Sequence, residues 1–278
     1  MNFKKVGVIG LGLIGGSVAG SLKKSGKVNK VIGVDRNKDT LDYAINNAIV
    51  DEISLQPDKS IYDSDIVVIA THVNSIPEVA SSLSVSENTL VTDVGSVKES
   101  IVKTINNTGR FSFIGSHPIA GSEKSGIYNS QPEMFKDKIC ITTPTSVNNS
   151  EQYRIIKEFW EITGCSVIKM EPEVHDRIFA YVSHLPHAVA FSLINAFIHR
   201  ESYLGYAGGG LRDFTRISHS SPEMWTEIFL MNKEHVLDAL KDYINSLDRL
   251  VSVIEEDDSV SLCKYLTEVV ELISAGSK

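Results

Sequence analysis

Basic clusters are missing from this 278-residue chain. Its longest positive runs are Lys4-Lys5 and Lys23-Lys24, and 27 lysines and arginines against 35 aspartates and glutamates leave a formal net charge of −8. A nucleic-acid binder usually presents a basic face, so that class is set aside. An anionic substrate would have to be met by individual, well-placed cations. Cysteine is scarce as well: Cys140, Cys165 and Cys263 are widely spaced and form no CxxC. That excludes a disulfide framework and a zinc site, and it implies reduced thiols in the cytoplasm. No stretch reaches the roughly 18 unbroken apolar residues of a membrane span, and neither repeats nor low-complexity tracts occur. The segment from Met1 to Ala19 has the outline of a secretory leader. However, Gly7, Gly10, Gly12, Gly15 and Gly16 interrupt it at spacings with another meaning.

What remains is ordinary for a globular protein, at 42% hydrophobic and 22% charged residues. The length suits two modest domains, taking roughly 100–200 residues for each. The first half alternates short apolar runs (Val6 to Ile9, Val31 to Val34, Ile66 to Ala70, Leu90 to Val94, Phe111 to Ile114, Ile139 to Thr142, Val167 to Met170) with helical spacing at Ile14 to Lys24, Thr40 to Ile49, Val97 to Ile105 and Glu151 to Thr163. Such alternation predicts βαβ units: an α/β, Rossmann-type, doubly wound, mostly parallel sheet. Beyond Met170 the strand signal stops. Val174 to Ile198, Pro222 to Ile254 and Ser259 to Ser274 carry helical periods, which predicts an all-α domain. The Glu171-Pro172 pair divides the chain into 1–170 and 171–278. The apolar helices exceed what one small domain covers, so a homodimer through the second domain is expected.

Gly10-Leu11-Gly12-Leu13-Ile14-Gly15 follows the first strand and opens the first helix. The first glycine permits the tight turn, the second lets backbone approach a pyrophosphate, and the third allows close helix–strand packing. The helix N-terminus then offers free N–H groups to the phosphates. Asp35 closes the second strand 20 residues after Gly15. A carboxylate there accepts from a ribose 2′-hydroxyl and repels a 2′-phosphate, which favours NAD over NADP, although the adjacent Arg36 is able to pair with such a phosphate. Thr71, at the end of the buried strand, completes the candidate cofactor contacts.

The loop Gly115-Ser-His117-Pro-Ile-Ala-Gly121-Ser-Glu123 follows a predicted strand and should face the cofactor crevice. A histidine there can take the proton of a substrate hydroxyl as hydride leaves the same carbon. Together with Gly15-Gly16-Ser17, Thr92-Asp93-Val94-Gly95-Ser96-Val97-Lys98, Ser183-His184-Leu185-Pro186-His187 and Gly208 to Ile217, this loop resembles the prephenate/arogenate dehydrogenases of tyrosine biosynthesis across nearly the whole chain. The resemblance implies NAD-dependent oxidative decarboxylation of prephenate. It makes His117 the proton acceptor and has Ser96 hydrogen-bond either the hydroxyl or His117. Arg216 becomes the substrate anchor, while His187, His184 and Ser183 line the side-chain end of the pocket. Glu123 falls to a gating acid, and Gly209 and Trp225 to the pocket wall. Because the product resembles tyrosine and no regulatory domain remains, any tyrosine inhibition should act at the active site.

The residues leave alternatives open. His184 and His187 have the spacing of metal ligands, but no acidic partner accompanies them, so packing histidines are the plainer reading and no metal is expected. Arg212 and Arg216 share a helical face, with Asp213 beside Arg212 as its neutraliser. His175-Asp176 opens a long helix, as a support for the arginine or simply as an acid near the helix dipole. Pro186 predicts a kink. Competing functions are arogenate dehydrogenation, a β-hydroxyacid or imine-reducing dehydrogenase, and a catalytically silent NAD sensor. The last two lack a use for both His117 and Arg216 together.

Overall fold

The computed structural model describes residues 1–121 and 124–276. Strands β1 (Phe3–Ile9), β2 (Val28–Val34), β3 (Glu52–Ser54), β4 (Ile66–Ile69), β5 (Leu90–Asp93) and β6 (Ser112–Phe113) form a six-stranded sheet in the order β3-β2-β1-β4-β5-β6, every pair parallel. This is the doubly wound dinucleotide-binding order, reversing direction between β1 and β4. All four residues of β4 are buried, as a strand covered by helices on both faces requires. The covering helices are α1 (Leu13–Ser25), α2 (Lys38–Asn46), α3 (Lys59–Tyr62), α4 (Ile76–Ser82) and α5 (Glu99–Asn106). Gly26 ends α1 in the left-handed conformation, at φ 66°, and the Asn37 side chain caps α2 by accepting from the N–H groups of Asp39 and Thr40.

A second sheet departs from the single-sheet expectation. Strands β7 (Gly115–Pro118), β8 (Ile139–Thr143) and β9 (Ser166–Lys169) pair in that order, β7 antiparallel to β8 and β8 parallel to β9. Helix α6 (Ser150–Ile162) links the last two and opens with a capping box between Asn149 and Gln152. The apolar run to Ile114 therefore continues past a sheet break, and His117 stands on a strand rather than in a loop.

From Pro172 onward the described chain is helical: α7 (Pro172–Phe179), α8 (Leu185–Asn195), α9 (Gly209–Ser218), α10 (Pro222–Met231), α11 (Lys233–Glu255) and α12 (Ser259–Gly276). Helices α7 and α8 are joined by a π-helical turn at Ala180–His184. Pro186 lacks an N–H, and its ring would clash with the carbonyl four residues back, at Val182 inside that turn. Widening the turn relieves both problems, so the predicted kink takes this form. The expected single helix over Pro222 to Ile254 is broken at Asn232, where φ is −108° and ψ 32°. Within the 24-residue run Pro172–Asn195 an 18-residue window reaches a mean hydropathy of 1.2, long and apolar enough by length and composition alone to cross a membrane, although polar residues interrupt it. Its His175, Asp176 and His184 are nonetheless buried inside the protein.

Candidate active site

The glycine-rich turn has the shape its residues predict. Gly10 adopts φ +89°, and a Cβ on it would lie 2.6 Å from the Ala70 carbonyl oxygen. A Cβ on Gly15 would stand 1.8 Å from the Gly10 carbonyl oxygen. Gly12, by contrast, faces open space and begins α1 without any side-chain cap, so the first N–H groups of that helix remain available. The Asp35 carboxylate accepts from Leu11 N–H at 2.8 Å and from Asn37 N–H at 2.9 Å, which brings it across from β2 to the turn. An uncapped helix start, an open approach at Gly12 and a carboxylate beside Leu11 are what a dinucleotide needs, so the residues fit NAD. Leu11 is buried, whereas Leu13, Ile14 and Thr71 are partly exposed around the turn and Arg36 is exposed, with no acid partner among the described residues.

His117 is half-buried on β7. Its Nδ1 lies 2.9 Å from His175 Nε2, and His175 Nδ1 lies 2.7 Å from Asp176 Oδ1. Asp176 also accepts the backbone N–H groups of Lys98 at 2.7 Å and Glu99 at 2.8 Å, so one carboxylate from α7 caps the start of α5. Phe179 stacks on the His175 ring, with centroids 4.5 Å apart, and tilts against His117 at 4.9 Å. Burial, reinforced by His175, Lys98 and His184, holds the His117 imidazole well below the ordinary histidine range. Burial likewise lowers His175, against the pull of Asp176.

Beneath His117 lies a buried ionic group. The Lys98 ammonium pairs with Asp93 and donates to the Ser116 carbonyl at 3.0 Å. Asp93 in turn accepts from Ser116 N–H at 3.0 Å and from Gly95 N–H at 2.9 Å. These bonds set the backbone on both sides of the site, from β5 to β7. Ser96 sits half-buried in the intervening loop, and its hydroxyl makes no hydrogen bond to His117.

The helical half contributes a connected cluster. Asn232, at the break before α11, donates to the Asp176 carbonyl at 2.8 Å and approaches His184 Nδ1 at 3.1 Å. Burial pushes His184 down to about 4. His187 donates from Nδ1 to the Ser183 carbonyl at 2.9 Å and stacks on Trp225, centroids 3.8 Å apart; its own pKa is lowered by burial. His184 Nε2 and Trp225 Nε1 are buried without partners among the described residues. Buried polar atoms without a partner are uncommon, and these two adjoin each other, the His184 and Trp225 rings meeting edge to face with centroids 6.0 Å apart.

Arg216 and Arg212 lie exposed on α9, which packs on α8, and neither guanidinium pairs with an acid among the described residues. The expected Asp213–Arg212 pair does not form. Nor does His175 support an arginine, because its two ring nitrogens are taken by His117 and Asp176. Gly209 is the first residue of α9. Glu123 falls outside the described residues. No group of three or more His, Cys, Asp or Glu side chains suited to a metal occurs among the described residues. His72 Nδ1 stands 3.6 Å from Glu227 of α10. Sequence reasoning missed the roles of Asp93, Lys98, His175 and Asp176. The first two were visible only as part of a motif, and the last two only as a helix start.

The comparisons with known proteins bear on the family and the fold. Residues 18–169 match the family model described as "Prephenate dehydrogenase, nucleotide-binding domain", and residues 171–268 match "Prephenate dehydrogenase, dimerization domain". The chain is 34% identical to the prephenate dehydrogenase of Bacillus subtilis over 92% of its own length and 71% of that protein. The crystal structure of prephenate dehydrogenase from A. aeolicus, in complex with hydroxyphenyl propionate and NAD+, superposes with a TM-score of 0.93 at 39% identity, covering 99% of both chains. Synechocystis arogenate dehydrogenase follows at 0.83 and 30% identity, covering 98% of this chain and 99% of that one. The chain belongs to the prephenate dehydrogenase family.

Proposed function

We propose that the chain is an NAD-dependent dehydrogenase that oxidises and decarboxylates prephenate to 4-hydroxyphenylpyruvate, with His117 as its proton acceptor. The observation that carries this reading is a neutral, half-buried histidine on β7, held next to the end of β5 through the Ser116–Asp93 bond and backed on one ring nitrogen by His175. Bound NAD supplies the acceptor for the hydride that leaves the hydroxyl-bearing ring carbon. His117 receives the hydroxyl proton as that hydride departs. It returns the proton to the phenolic oxygen when the ring carboxylate leaves as carbon dioxide and the ring becomes aromatic, so no net proton is taken up. Ser96, with an unengaged hydroxyl, orients the same substrate oxygen. The chain's task is then mainly alignment, because aromatisation drives the reaction forward.

Prephenate carries two carboxylates, and the unpaired guanidinium of Arg216 is the anchor, since arginine binds a carboxylate through two parallel bonds. Arg212 is the second candidate. His184, His187, Ser183, Trp225 and Gly209 surround the side-chain end of the substrate, supported by the two orphaned N–H groups there. Gly10 to Gly15, Asp35, Arg36 and Thr71 hold the cofactor. Glu123 keeps the gating role that the family resemblance implies. Residues 1–170 form the nucleotide-binding domain and 171–278 the domain for substrate and dimerisation. Exposed apolar side chains along α11 and α12 (Leu247, Val251, Leu266 and Val270 among them) support a homodimer. Tyrosine, which resembles the product, inhibits at this site. Free Cys140 and Cys165, buried near one another, support a reducing cytoplasmic setting.

The test is a matrix of prephenate and arogenate, each with NAD and NADP, followed by absorbance of the reduced cofactor. Prephenate with NAD should give the highest kcat/KM. Absence of turnover with both substrates overturns the reading.

A further inference from the structure

We propose that His175 and Asp176 are positioning residues that hold His117 as its Nδ1–H tautomer, so that the Nε2 lone pair is the one offered to the substrate hydroxyl. The proposal rests on the reading of His117 as proton acceptor, and it follows from which partners can donate. Both Asp176 oxygens already accept backbone N–H groups, from Lys98 and Glu99. A carboxylate in that position has only lone pairs to give His175, so His175 Nδ1 carries the hydrogen and donates at 2.7 Å. A neutral imidazole has a single N–H. His175 Nε2 is therefore bare, and His117 Nδ1, 2.9 Å away, must be the donor. One nitrogen of His117 remains, Nε2, and it keeps its lone pair.

The surroundings support one fixed arrangement. His175 is fully buried, and Phe179 lies flat on its ring at an interplanar angle of 17°. Burial keeps His175 neutral, which the argument from a single N–H requires. The other titratable groups facing His117 bond elsewhere: Lys98 to Asp93 and the Ser116 carbonyl, His184 to Asn232. When His117 gains its second proton, the Nδ1–H bond to His175 becomes charge-assisted, with the Asp176 carboxylate beyond it, so the transient imidazolium is stabilised without being exposed to water. A carboxylate-backed histidine serves the same purpose in serine proteases, where loss of the carboxylate leaves the wrong tautomer. Here a second histidine is interposed.

Nitrogen-15 NMR of the histidine side chains in the full chain, without substrate, reads the tautomer directly, with His117→Asn supplying the assignment. The expected spectrum has a protonated Nδ1 and an unprotonated Nε2 on His117. Two variants then separate lone-pair donation from packing. His175→Gln keeps an acceptor, an amide oxygen, for the His117 Nδ1–H. His175→Phe fills the slot against Phe179 but offers no acceptor. The Phe variant should shift His117 toward the Nε2–H form and lower kcat roughly 100-fold with little change in KM, whereas the Gln variant should lose about tenfold or less. A packing role would rank Phe at least as high as Gln. An Nε2–H tautomer in the unaltered chain, or equal kcat for the two variants, overturns the proposal. The unaltered chain's spectrum needs no variant to fold, and its turnover of prephenate separately decides the functional reading.

Discussion

Lys98 and Asp93 form an ion pair from which water is excluded, both side chains having 0% exposure. Removing one partner would leave a bare charge in a medium that solvates it poorly. Lys98→Met should therefore lower the unfolding free energy by about 3–5 kcal/mol, the range seen when a buried pair is broken. Urea denaturation measures this, and a change below about 1 kcal/mol would mean that the site rearranges to readmit water.

The lowered pKa of His117 sets the acid side of the rate profile. The imidazole works only when neutral, and burial makes protonation harder, so the neutral form persists below the ordinary histidine value of about 6.5. A plot of kcat/KM against pH should be level from about 6.5 upward, until some other group titrates, and should fall only on the acid side. An acid limb centred at or above 6.5 contradicts this. Linkage gives stability the same direction. Between the folded and unfolded pKa values the unfolded chain binds the extra proton, so this histidine's contribution to stability is complete above about 6.5 and lost as pH falls toward the folded value.

Two glycines in one turn should separate binding from folding. Gly12 has φ −72°, and a methyl group added there would meet nothing within 4 Å, so Gly12→Ala should keep its thermal stability within about 0.5 kcal/mol. It should still weaken NAD by roughly tenfold, about 1.4 kcal/mol, because the methyl enters the space the pyrophosphate approaches through. Gly10→Ala should instead destabilise the free protein by about 1–3 kcal/mol, since φ +89° and the Ala70 carbonyl leave no room. Calorimetric titration and thermal denaturation together check the contrast. Equal effects on both quantities would refute it.

Light scattering tests the helical face. The unaltered chain should be a dimer at micromolar concentration, and a charge at Leu266 or Val270, as in Leu266→Lys or Val270→Glu, should yield monomers. A monomeric unaltered chain, or dimeric variants, would relocate the interface.

The parallel sheet is legible in the sequence because its strands are apolar on both faces and its first turn needs glycines at fixed spacing. The second sheet is not, since β7 contains Gly115, His117 and Pro118, residues that read as a loop; its pairing with β8 is a long-range choice that local pattern does not carry. Elements as short as β3 and α3 span little more than one period of their signal. At the site, Gly10–Gly15, Asp35 and His117 announce themselves through motif and context. His175 and Asp176 do not, because 58 residues separate His175 from His117 and nothing in either segment names the other. Arg212 and Arg216 share one helix by spacing alone, but their freedom from acidic partners emerges only in three dimensions.

The π turn at Ala180–His184 has a consequence for insertions and deletions. One residue advances an α-helix by about 100°, and a π turn absorbs one residue more than an α turn does. Deleting a single residue within 180–184 would let the turn close into regular helix with the downstream half nearly in phase, whereas adding one would rotate that half by about 100° and carry His187 away from the Trp225 ring on which it stacks. The number of residues in the turn thus sets the angle between the half of the helix that holds His175 and the half that holds His187, while Ser183 and His184 tie the turn itself to the pocket.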